Sequence, residues 1–477
     1  MSFEDLLHPL LDRYLQAPDW VKASAGRAYA WVPARLRFGG AYYRFRDEVA
    51  VRDAGALDRL ARRKLRSTLE WALQTVPAYR DYAPLLARCD DTEELLARMP
   101  LVDKKAIKAR PQSYLSGGVP ESARLKTVTG GSSRDPLEFF LQKHVSRPKE
   151  YAFMHEFRAR TGSDGTEPTL ALRGRPVPGA ARPGGRIWTW EPIKRQLIFS
   201  SAHLDASHMP RYAEALSLHR PRFIEAYPSV LYLLARWLVE HPLPAFTSNV
   251  RGVMLYSETV YGFQLKLFRD VFHCPVLAHY GHSERVLMAA TLPEDDRYFF
   301  WPQYGWFELV GFDGRPITRA GVPGEIVGTS FDNRAMPFVR YRTGDLAILS
   351  DRGHPRLPGF VACERIEGRL QEFIVDRHER LISVVQIGSA HFPEFGAIDS
   401  MQYEQKRPGE LVLKFVAGDG FTPQMQQRLA RAVGDKAGCE CRVVKVREIA
   451  RTARGKQQLI VQHLDIKRYL GTAAVPA

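Results

Sequence analysis

The chain has 477 residues, of which 45% are hydrophobic and 25% are charged, and its formal net charge is +15 at pH 7. This length exceeds what one hydrophobic core usually supports, so we expect at least two domains, and the composition excludes a disordered or fibrous chain. The positive charge suggests a polyanionic partner, but the basic residues are dispersed and accompany no nucleic-acid-binding motif, so we expect no nucleic acid partner.

The cysteine pattern and the hydropathy pattern both favour a cytoplasmic protein. The five cysteines are scattered and odd in number, which is not typical of a disulfide framework. The N-terminus lacks the features of a signal peptide. The most apolar long stretch, Phe223 to Val239, contains Glu225 and Arg236, so we expect no transmembrane segment. The pattern leaves the oligomeric state open.

Residues 31–46 interleave aromatic rings with arginines. Segments that bind the surface of a membrane have this pattern. Segments that pack on their own domain have it too, because the arginine stems can cover apolar surface. Both interpretations, including peripheral membrane association, stay open at this point.

In chain order, residues 1 to about 115 are predicted to be helical, with segments near 52–76 and 92–110. In the next 250 residues, short apolar runs alternate with helical patterns at Ser229 to His241 and Tyr261 to Phe272. The predicted strands are Leu170 to Leu172, Phe223 to Ala226, Gly252 to Leu255 and Pro275 to Ala278. Strands alternating with helices predict a mixed α/β fold with a sheet covered by helices.

A domain boundary is predicted near Gly368-Arg369, which gives a large domain, 1–368, and a small C-terminal domain, 369–477. The small domain is predicted to combine strands with one helix, Pro423 to Ala437. Its predicted strands are Glu372 to Val375, Arg380 to Val385, Leu411 to Ala417, Cys441 to Val446 and Leu459 to Val461. We expect an active site between the two domains.

The first candidate chemical motif runs from Thr127 to Pro136 and mixes threonine and serine with glycine. Glycine allows backbone N–H groups to approach phosphate oxygens closely, so this segment could hold the triphosphate of ATP. It lacks the Gly-Lys-Ser/Thr ending of a P-loop, and an ordinary turn would have the same composition.

The second candidate motif, His279 to Glu284, follows a predicted strand. Ligands of open α/β sheets bind at the carboxyl ends of parallel strands, and Mg²⁺ prefers carboxylate oxygens, so Glu284 is the candidate metal ligand. The nearby His273, Cys274, His279 and His282 match the spacing of no closed zinc site. A solvated loop glutamate is the alternative interpretation.

Two shorter motifs, Tyr227-Pro228-Ser229 and Tyr256 to Thr259, stand at predicted strand ends or helix starts. Serine and glutamate are common at the first turn of a helix, so helix capping explains them as well as ligand binding does.

The sharpest motifs are Tyr341-Arg342-Thr343-Gly344-Asp345 and, about a hundred residues later, Gly455-Lys456. An aspartate can accept hydrogen bonds from both ribose hydroxyls, and a lysine in a glycine turn can reach across a cleft as a point charge. A turn with a charged tip and a solvated lysine are the alternatives when each motif is taken alone.

Taken in this order, the motifs resemble those of the adenylate-forming superfamily of acyl-CoA synthetases. Within it, the chain is similar to the phenylacetate–CoA ligase-like branch and its relatives in capsule and exopolysaccharide biosynthesis. This subgroup is indicated by Tyr227-Pro228-Ser229 and Ser257-Glu258.

The resemblance implies ATP, Mg²⁺ and coenzyme A as cofactors or co-substrates and a small carboxylic acid as substrate. The implied binding residues are Thr129, Gly130, Gly131, Ser132 and Ser133 for phosphate, Ser257 and Glu258 beside adenine, Tyr280, Gly281 and Ser283 at the nucleotide and acyl site, and Asp345 with Arg365 at the ribose. The implied catalytic residues are Glu284, on Mg²⁺, and Lys456, on the mobile small domain.

The resemblance therefore implies activation of a carboxylic acid, for which an aryl acid is one candidate, as its adenylate, followed by transfer to coenzyme A. Transfer to an amine, a carrier protein or a sugar is the alternative reaction, and a non-catalytic nucleotide-binding protein is the alternative class. The chain departs from the family pattern at Arg134-Asp135 in the phosphate loop and at Gln371-Glu372 near the hinge.

Overall fold

The computed structural model describes residues 13–14, 17–129, 136–175, 177–178, 180, 185–200, 203–204, 207–311, 313–369, 373–384, 387, 394, 397–418, 420–450 and 457–469. The chain divides into two compact units: unit 1 comprises residues 1–165 and 279–365, and unit 2 comprises residues 166–278 and 366–477. Among the helices in these ranges, none is both long enough and apolar enough to cross a bilayer.

The α-helices of the described residues, in chain order, are α1 (Asp19–Trp31), α2 (Ala34–Phe38), α3 (Gly40–Ala50), α4 (Ala54–Thr75), α5 (Thr92–Ala97), α6 (Lys104–Ala109), α7 (Ser146–Ala159), α8 (Met209–His219), α9 (Pro228–Glu240), α10 (Pro244–Thr247), α11 (Gly262–Phe272) and α12 (Pro423–Ala437). Short 3₁₀ helices cover Pro77–Ala87, Pro111–Tyr114, Glu121–Ala123 and Ile466–Tyr469.

The strands, in chain order, are β1 (Arg124–Val128), β2 (Glu138–Gln142), β3 (Thr169–Leu172), β4 (Trp188–Glu191), β5 (Gln196–Phe199), β6 (Phe223–Ala226), β7 (Gly252–Tyr256), β8 (Val276–Gly281), β9 (Met288–Leu292), β10 (Asp295–Phe300), β11 (Gly305–Val310), β12 (Pro323–Ser330), β13 (Tyr341–Leu349), β14 (Val361–Arg369), β15 (Phe373–Val375), β16 (Leu381–Ser383), β17 (Ile398–Gln405), β18 (Glu410–Ala417), β19 (Glu440–Lys445) and β20 (Ile460–Gln462).

Aspartate side chains set the starts of three helices in unit 1. Asp53 accepts a hydrogen bond from the Ala56 amide at the start of α4, and Asp91 and Asp103 act in the same way at α5 and α6. An aspartate at this position satisfies an amide that has no partner inside the helix. The single helical segment predicted for 92–110 is therefore two helices, because Asp103 begins a second one.

In unit 1 the strands of the large sheet follow the order β11-β12-β13-β14-β10-β9-β8. Five neighbouring pairs are antiparallel: β11–β12, β12–β13, β10–β14, β9–β10 and β8–β9. Adjacent antiparallel strands can be joined by short turns. This is why residues 288–369 depart from the predicted alternation of strand and helix.

In unit 2 the order is β7-β6-β3-β5-β4, and β7, β6, β3 and β5 run parallel. Strands β6 and β7 are buried along their whole length, as expected for parallel strands covered on both faces. Their side chains form one core with those of α8, α9 and α11, which includes Leu170, Ile224, Leu231, Val253 and Phe268.

The C-terminal part of unit 2 has its own sheet, β19-β18-β17-β20, and its own core. Strands β17 and β18 are antiparallel, whereas β19 and β20 join the sheet in parallel. Leu429 and Val433 of α12 pack in this core with Leu413 and Phe415 of β18.

The predicted fold class is confirmed: the protein is mixed α/β, with a large sheet, covering helices and a smaller C-terminal α+β part. Helix α12 has the bounds that the sequence predicted. Most of the predicted strands and helices are present within one or two residues at each end. The predicted strand 380–385 is shorter, because β16 ends at Ser383, and β17 had no counterpart among the predictions.

Candidate functional site

Two tyrosine–carboxylate pairs in unit 1 join the second candidate motif to the aspartate motif. The Tyr280 hydroxyl, near the end of β8, donates to Asp345 Oδ2 at 2.9 Å. The Tyr341 hydroxyl, at the start of β13, donates to Glu284 Oε1, also at 2.9 Å. The paired residues are 65 and 57 positions apart in the chain. Folding thus brings three predicted site residues, Tyr280, Glu284 and Asp345, into one constellation.

Asp345 is placed by an irregularity in the pairing of β12 with β13. The register jumps from Val327 opposite Arg342 to Glu325 opposite Leu346. Three residues of β13 therefore face one residue of β12, which is a β-bulge. A bulge re-aims side chains, and here it projects Asp345 toward the end of β8, where Tyr280 meets it.

Glu325 fixes the shape of this bulge. Its Oε1 accepts the Gly344 amide at 3.1 Å, and its Oε2 accepts the Arg342 Nε at 2.8 Å. Gly344 has a φ of 78°, a left-handed conformation that glycine adopts at little cost. Thr343 adds a hydrogen bond from its hydroxyl to the Ile326 carbonyl at 2.8 Å. The contacts of Arg342 and Thr343 and the left-handed φ of Gly344 thus shape the bulge that carries Asp345.

Glu284 differs from the solvated loop glutamate of the alternative interpretation. Its residue is 8% exposed, and its hydrogen-bond partner Tyr341 is 3% exposed. A buried carboxylate needs hydrogen-bond donors or a cation to remain charged. The Tyr341 hydroxyl supplies one such donor.

The other predicted residues of the second motif lie at the end of β8. A Cβ atom at Gly281, the last residue of β8, would come within 2.8 Å of the His279 ring, so a larger residue there would require that ring to shift. The His282 ring packs against Tyr280 with centroids 5.9 Å apart, and Ser283 is exposed. Arg365 is exposed on β14. In the described part of the chain, no group of three His, Cys, Asp or Glu side chains could hold a metal ion.

In unit 2, Ser257 and Glu258 follow β7, and Glu258 caps the start of α9. Glu258 Oε2 accepts the Ser229 amide at 3.0 Å, and Oε1 accepts the Ser229 hydroxyl at 3.1 Å. Ser257 has a φ of 63° and is exposed. The structure thus brings the two shorter motifs together. The structure also shows the helix-capping contact that was the alternative interpretation of these motifs. Here Glu258 caps α9 from a different segment of the chain.

Thr129 occupies the point where the predicted phosphate loop leaves β1. Its amide donates to the Leu137 carbonyl at 2.9 Å, and its hydroxyl accepts the Leu137 amide, also at 2.9 Å. These bonds continue the β1–β2 hairpin by one pair. The remaining predicted residues of the loop, Gly130, Gly131, Ser132 and Ser133, lie outside the described residues, as do Arg134, Asp135, Gln371, Glu372 and Lys456.

One buried lysine has a shifted pKa but lies outside the predicted motifs. Burial lowers the pKa of Lys149 to about 8. Its Nζ donates to the carbonyl oxygens of Tyr304 and Phe331 at 2.6 and 3.0 Å and lies 3.1 Å from Asp332 Oδ2. Shifted pKa values also occur in structural ion pairs. Because Lys149 is bound to two backbone carbonyls, we assign it to the support of unit 1.

The sequence did not assign a role to Tyr341 or Glu325, although it contained both. Tyr341 is the first residue of the Tyr-Arg-Thr-Gly-Asp motif, and this position was the available signal for it. Glu325 lies 16 residues before that motif, and no local signal marked it. The partner of each residue could be found only from the strand register.

No protein-family model matches the sequence, and no curated protein matches it. Among solved structures, the fold is similar to 2-hydroxyisobutyryl-CoA ligase in the postadenylation state in complex with R3-HIB-AMP, with a TM-score of 0.64 and 17% identity over 86% of this chain and 90% of that one. The same ligase in complex with 2-HIB-AMP and CoA in the thioesterification state gives a TM-score of 0.52 at 16% identity, over 88% and 92% of the chains. These similarities show that the chain has the fold of these acid–CoA ligases.

Proposed function

We propose that this protein is an ATP-dependent ligase that activates a carboxylic acid as its adenylate and transfers the acyl group to coenzyme A, releasing pyrophosphate and AMP. The observation that carries the proposal is the constellation of Tyr280, Glu284, Tyr341 and Asp345, which unites the two central motifs. It occurs in a chain with the fold of an acid–CoA ligase.

Asp345 is proposed to bind the ribose of ATP. A carboxylate can accept about four hydrogen bonds, so a bond from Tyr280 is compatible with further bonds from the two ribose hydroxyls. The bulge held by Glu325 fixes the direction of the Asp345 side chain, which lowers the entropy cost of binding. Arg365 is proposed to assist at the same sugar, and Tyr280, Gly281 and Ser283 to line the nucleotide and acyl site.

Glu284 is proposed to hold the Mg²⁺ that accompanies ATP. Its carboxylate is the oxygen donor that this hard cation prefers, and Mg²⁺ normally keeps water and phosphate ligands, so one protein carboxylate fits the requirement. The ion would offset negative charge on the phosphates when bound. Tyr341 holds the Glu284 carboxylate in place through its hydrogen bond.

Lys456 and the segment from Thr129 to Ser133 are proposed to act on the phosphates. The acid carboxylate and the α-phosphate of ATP are both negative, so their reaction requires positive charge where the transition state forms. We propose that Lys456 supplies part of it, from a small domain of residues 369–477 that moves relative to residues 1–368. Gly368, with a φ of 82°, is a glycine in the left-handed region at this proposed boundary.

We further propose membership of the phenylacetate–CoA ligase-like branch and its capsule-associated subgroup, with Ser257 and Glu258 beside the adenine. The support is the contact between Ser229 and Glu258, which joins the two motifs that indicated the subgroup. A cytoplasmic location is also part of the proposal, and it is supported by all five cysteines being free thiols.

The first test is ATP–pyrophosphate exchange by the purified protein with Mg²⁺ across aryl, fatty, hydroxy and amino acids. Exchange with one class of acid would support adenylation and identify the substrate class. Formation of a thioester on addition of CoA would support the acid–CoA ligase. Acyl transfer to an added amine when CoA is absent would support the reaction with the alternative acceptor. ATP binding without exchange across the panel would support the non-catalytic alternative.

The second test is Lys456→Ala, compared with Lys436→Ala on the exposed side of α12. Lys456→Ala is expected to abolish exchange while ATP binding and thermal stability stay near those of the unmodified protein. Lys436→Ala is expected to change none of the three. Equal exchange rates in Lys456→Ala and the unmodified protein would overturn the catalytic assignment.

A further inference from the structure

The N-terminal helices carry an aromatic surface that the proposed catalytic function does not use. All eight tryptophans lie within the described residues, and six of them are at least partly buried. The other two are Trp20, which is 73% exposed, and Trp31, which is 88% exposed. Leu36 on α2 is 60% exposed. Isolated exposed apolar residues are common, but a group of three large ones within 17 positions calls for an explanation.

Helix α1 presents its two tryptophans on one face. Trp20 and Trp31 are 11 residues apart, which is about three turns, so their side chains project in nearly the same direction. Ser24 and Arg27 lie between them at helical spacing and are also exposed. Lys22, on another face of α1, is buried at 5% exposure. Helix α1 therefore has one packed face and one exposed face with an aromatic ring at each end.

The same segment is strongly basic. Residues 19–46 contain six lysine or arginine residues and one acidic residue, Asp19. Several of the arginines lie close to aromatic rings: Arg37 is 5.3 Å from the Tyr29 ring centroid, and Arg44 is 4.7 Å from that of Phe45. A surface that combines exposed tryptophan and leucine with arginine suits the boundary between lipid headgroups and acyl chains.

We propose that residues 19–46, the lipid-binding segment, dock this protein on the surface of an anionic phospholipid bilayer. Trp20, Trp31 and Leu36 enter the headgroup–acyl boundary, and Arg27 and Arg35 contact the phosphates. The excess of positive charge matches an anionic headgroup layer. The aliphatic Leu36 and the two exposed tryptophans gain from a hydrocarbon boundary, whereas binding to a nucleic acid backbone would draw on the arginines alone.

The test uses the full-length protein and vesicles of phosphatidylcholine, with and without phosphatidylglycerol. Cosedimentation is expected only with the anionic vesicles, and added salt is expected to weaken it, because charges at the membrane surface are screened. Tryptophan fluorescence is expected to shift to shorter wavelength and to be quenched by brominated lipid. Failure to cosediment with anionic vesicles at low salt would overturn the proposal.

Two double variants, each with a matched control, separate the contribution of the tryptophans to vesicle binding from that of the arginines. Trp20→Ala/Trp31→Ala is expected to lower vesicle partitioning by at least about tenfold and to remove the quenching. Arg27→Gln/Arg35→Gln is expected to lower it by about twentyfold at low salt. The controls are Leu218→Ala/Val239→Ala, which removes exposed apolar side chains elsewhere, and Arg315→Gln/Arg319→Gln, which removes exposed arginines elsewhere. Both controls are expected to partition normally.

The proposal would be overturned if a control double variant lost as much vesicle binding as the segment variant with which it is matched. The loss of binding would then not depend on the position of the changed residues. Tight binding to homopolymeric RNA that competes with the vesicles and does not depend on the tryptophans would also overturn the proposal. Thermal unfolding of each variant shows whether it is folded. None of these measurements requires catalytic activity, so failure of this proposal is distinguishable from failure of the proposed function.

Discussion

Glu284, just after β8, and Asp345, in the bulge of β13, have different hydrogen-bond partners from Glu258, which follows β7 in unit 2. Glu284 and Asp345 each accept a hydrogen bond from a tyrosine hydroxyl. Glu258 engages both oxygens with Ser229, through the amide and the hydroxyl at the start of α9. A tyrosine hydroxyl orients a carboxylate, whereas the amide at a helix start requires an acceptor for the helix to begin well.

This difference separates two carboxylates that a tyrosine hydroxyl orients from one that caps a helix. All three were assigned to the nucleotide by resemblance. The contacts now predict that Glu284 and Asp345 affect mainly activity and that Glu258 affects mainly stability. The following predictions test this division, from the largest expected effect to the smallest.

The largest effect is expected for Glu284→Gln. Glutamine keeps an acceptor for Tyr341 but removes the negative charge, so adenylation should fall by about 100- to 1000-fold, as for other losses of charge at a metal ion or transition state. Exchange rates measured across a Mg²⁺ titration check this. Tyr341→Phe, which keeps the charge, should reduce the rate by only about tenfold. If Glu284→Gln stayed within threefold of the unmodified protein, the proposed metal role would be wrong.

Asp345→Asn should lower kcat/KM for ATP by about 30- to 100-fold, because hydrogen bonds to a charged acceptor contribute roughly 1.5–3 kcal/mol. Steady-state kinetics with varied ATP measures this change. Tyr280→Phe, which removes the donor to Asp345 Oδ2, is the matched control and should have a smaller effect. An unchanged KM for ATP together with a lower melting temperature would move Asp345 to the structural class.

Glu258→Ala should lower the free energy of unfolding by about 1–2 kcal/mol, the usual cost of losing a helix cap. Chemical denaturation of Glu258→Ala, Ser229→Ala and the double variant checks this, because the two single changes break the same contact and should not be additive. A large rise in the KM for ATP with unchanged stability would show instead that Glu258 serves mainly the nucleotide.

The smallest effect at neutral pH is expected for His155 of α7, whose contribution to stability depends on pH and appears only in acid. Burial lowers the pKa of His155 to about 4, from 6.5 in an unfolded chain, and the nearby Arg158 adds to the shift. The unfolded state binds more protons between these values, so the free energy of unfolding falls as pH decreases from 6.5 to 4. This group contributes up to ~3 kcal/mol of that loss.

His155→Phe should flatten the pH profile of stability over this range. It should leave adenylation at neutral pH unchanged, because His155 pairs with Tyr42 in a packed helical region and is not among the proposed site residues. Urea unfolding at several pH values provides the measurement, with His241→Gln at an exposed histidine as control. If the free energy of unfolding had the same dependence on pH in His155→Phe and in the unmodified protein, His155 would not be the group responsible for the loss of stability.

The sequence predicted much of the fold because its signals are local. Asp53 and Asp103 precede helices that they cap, and the fully apolar runs of β6 and β7 indicate buried parallel strands. The antiparallel strands β9–β14 were harder to predict, because each is only five to nine residues long and a short apolar run cannot be told from a helix segment by its pattern alone. Strand β17 was missed for the same reason.

The sequence predicted which residues belong to the candidate site, but it did not predict the hydrogen bonds between them. Motif order placed Tyr280, Glu284 and Asp345 among the site residues, while Tyr341 and Glu325 were passed over. Nothing local distinguishes the hydroxyl of Tyr341 from that of any other buried tyrosine. The residue acquires a role only when the fold brings its hydroxyl within hydrogen-bond distance of Glu284.

By itself, the sequence determined the positions of caps, turns and apolar runs, since these depend on neighbours within a few residues. It also determined the Arg-Thr-Gly-Asp segment, whose glycine permits the left-handed φ of the bulge. Tertiary structure decided which carboxylate meets which donor. Tyr280 and Asp345 are 65 residues apart, and Ser229 and Glu258 are 29 apart. Such pairs form only when strand register and helix packing bring distant segments together, because a hydrogen bond requires its two atoms to lie about 3 Å apart.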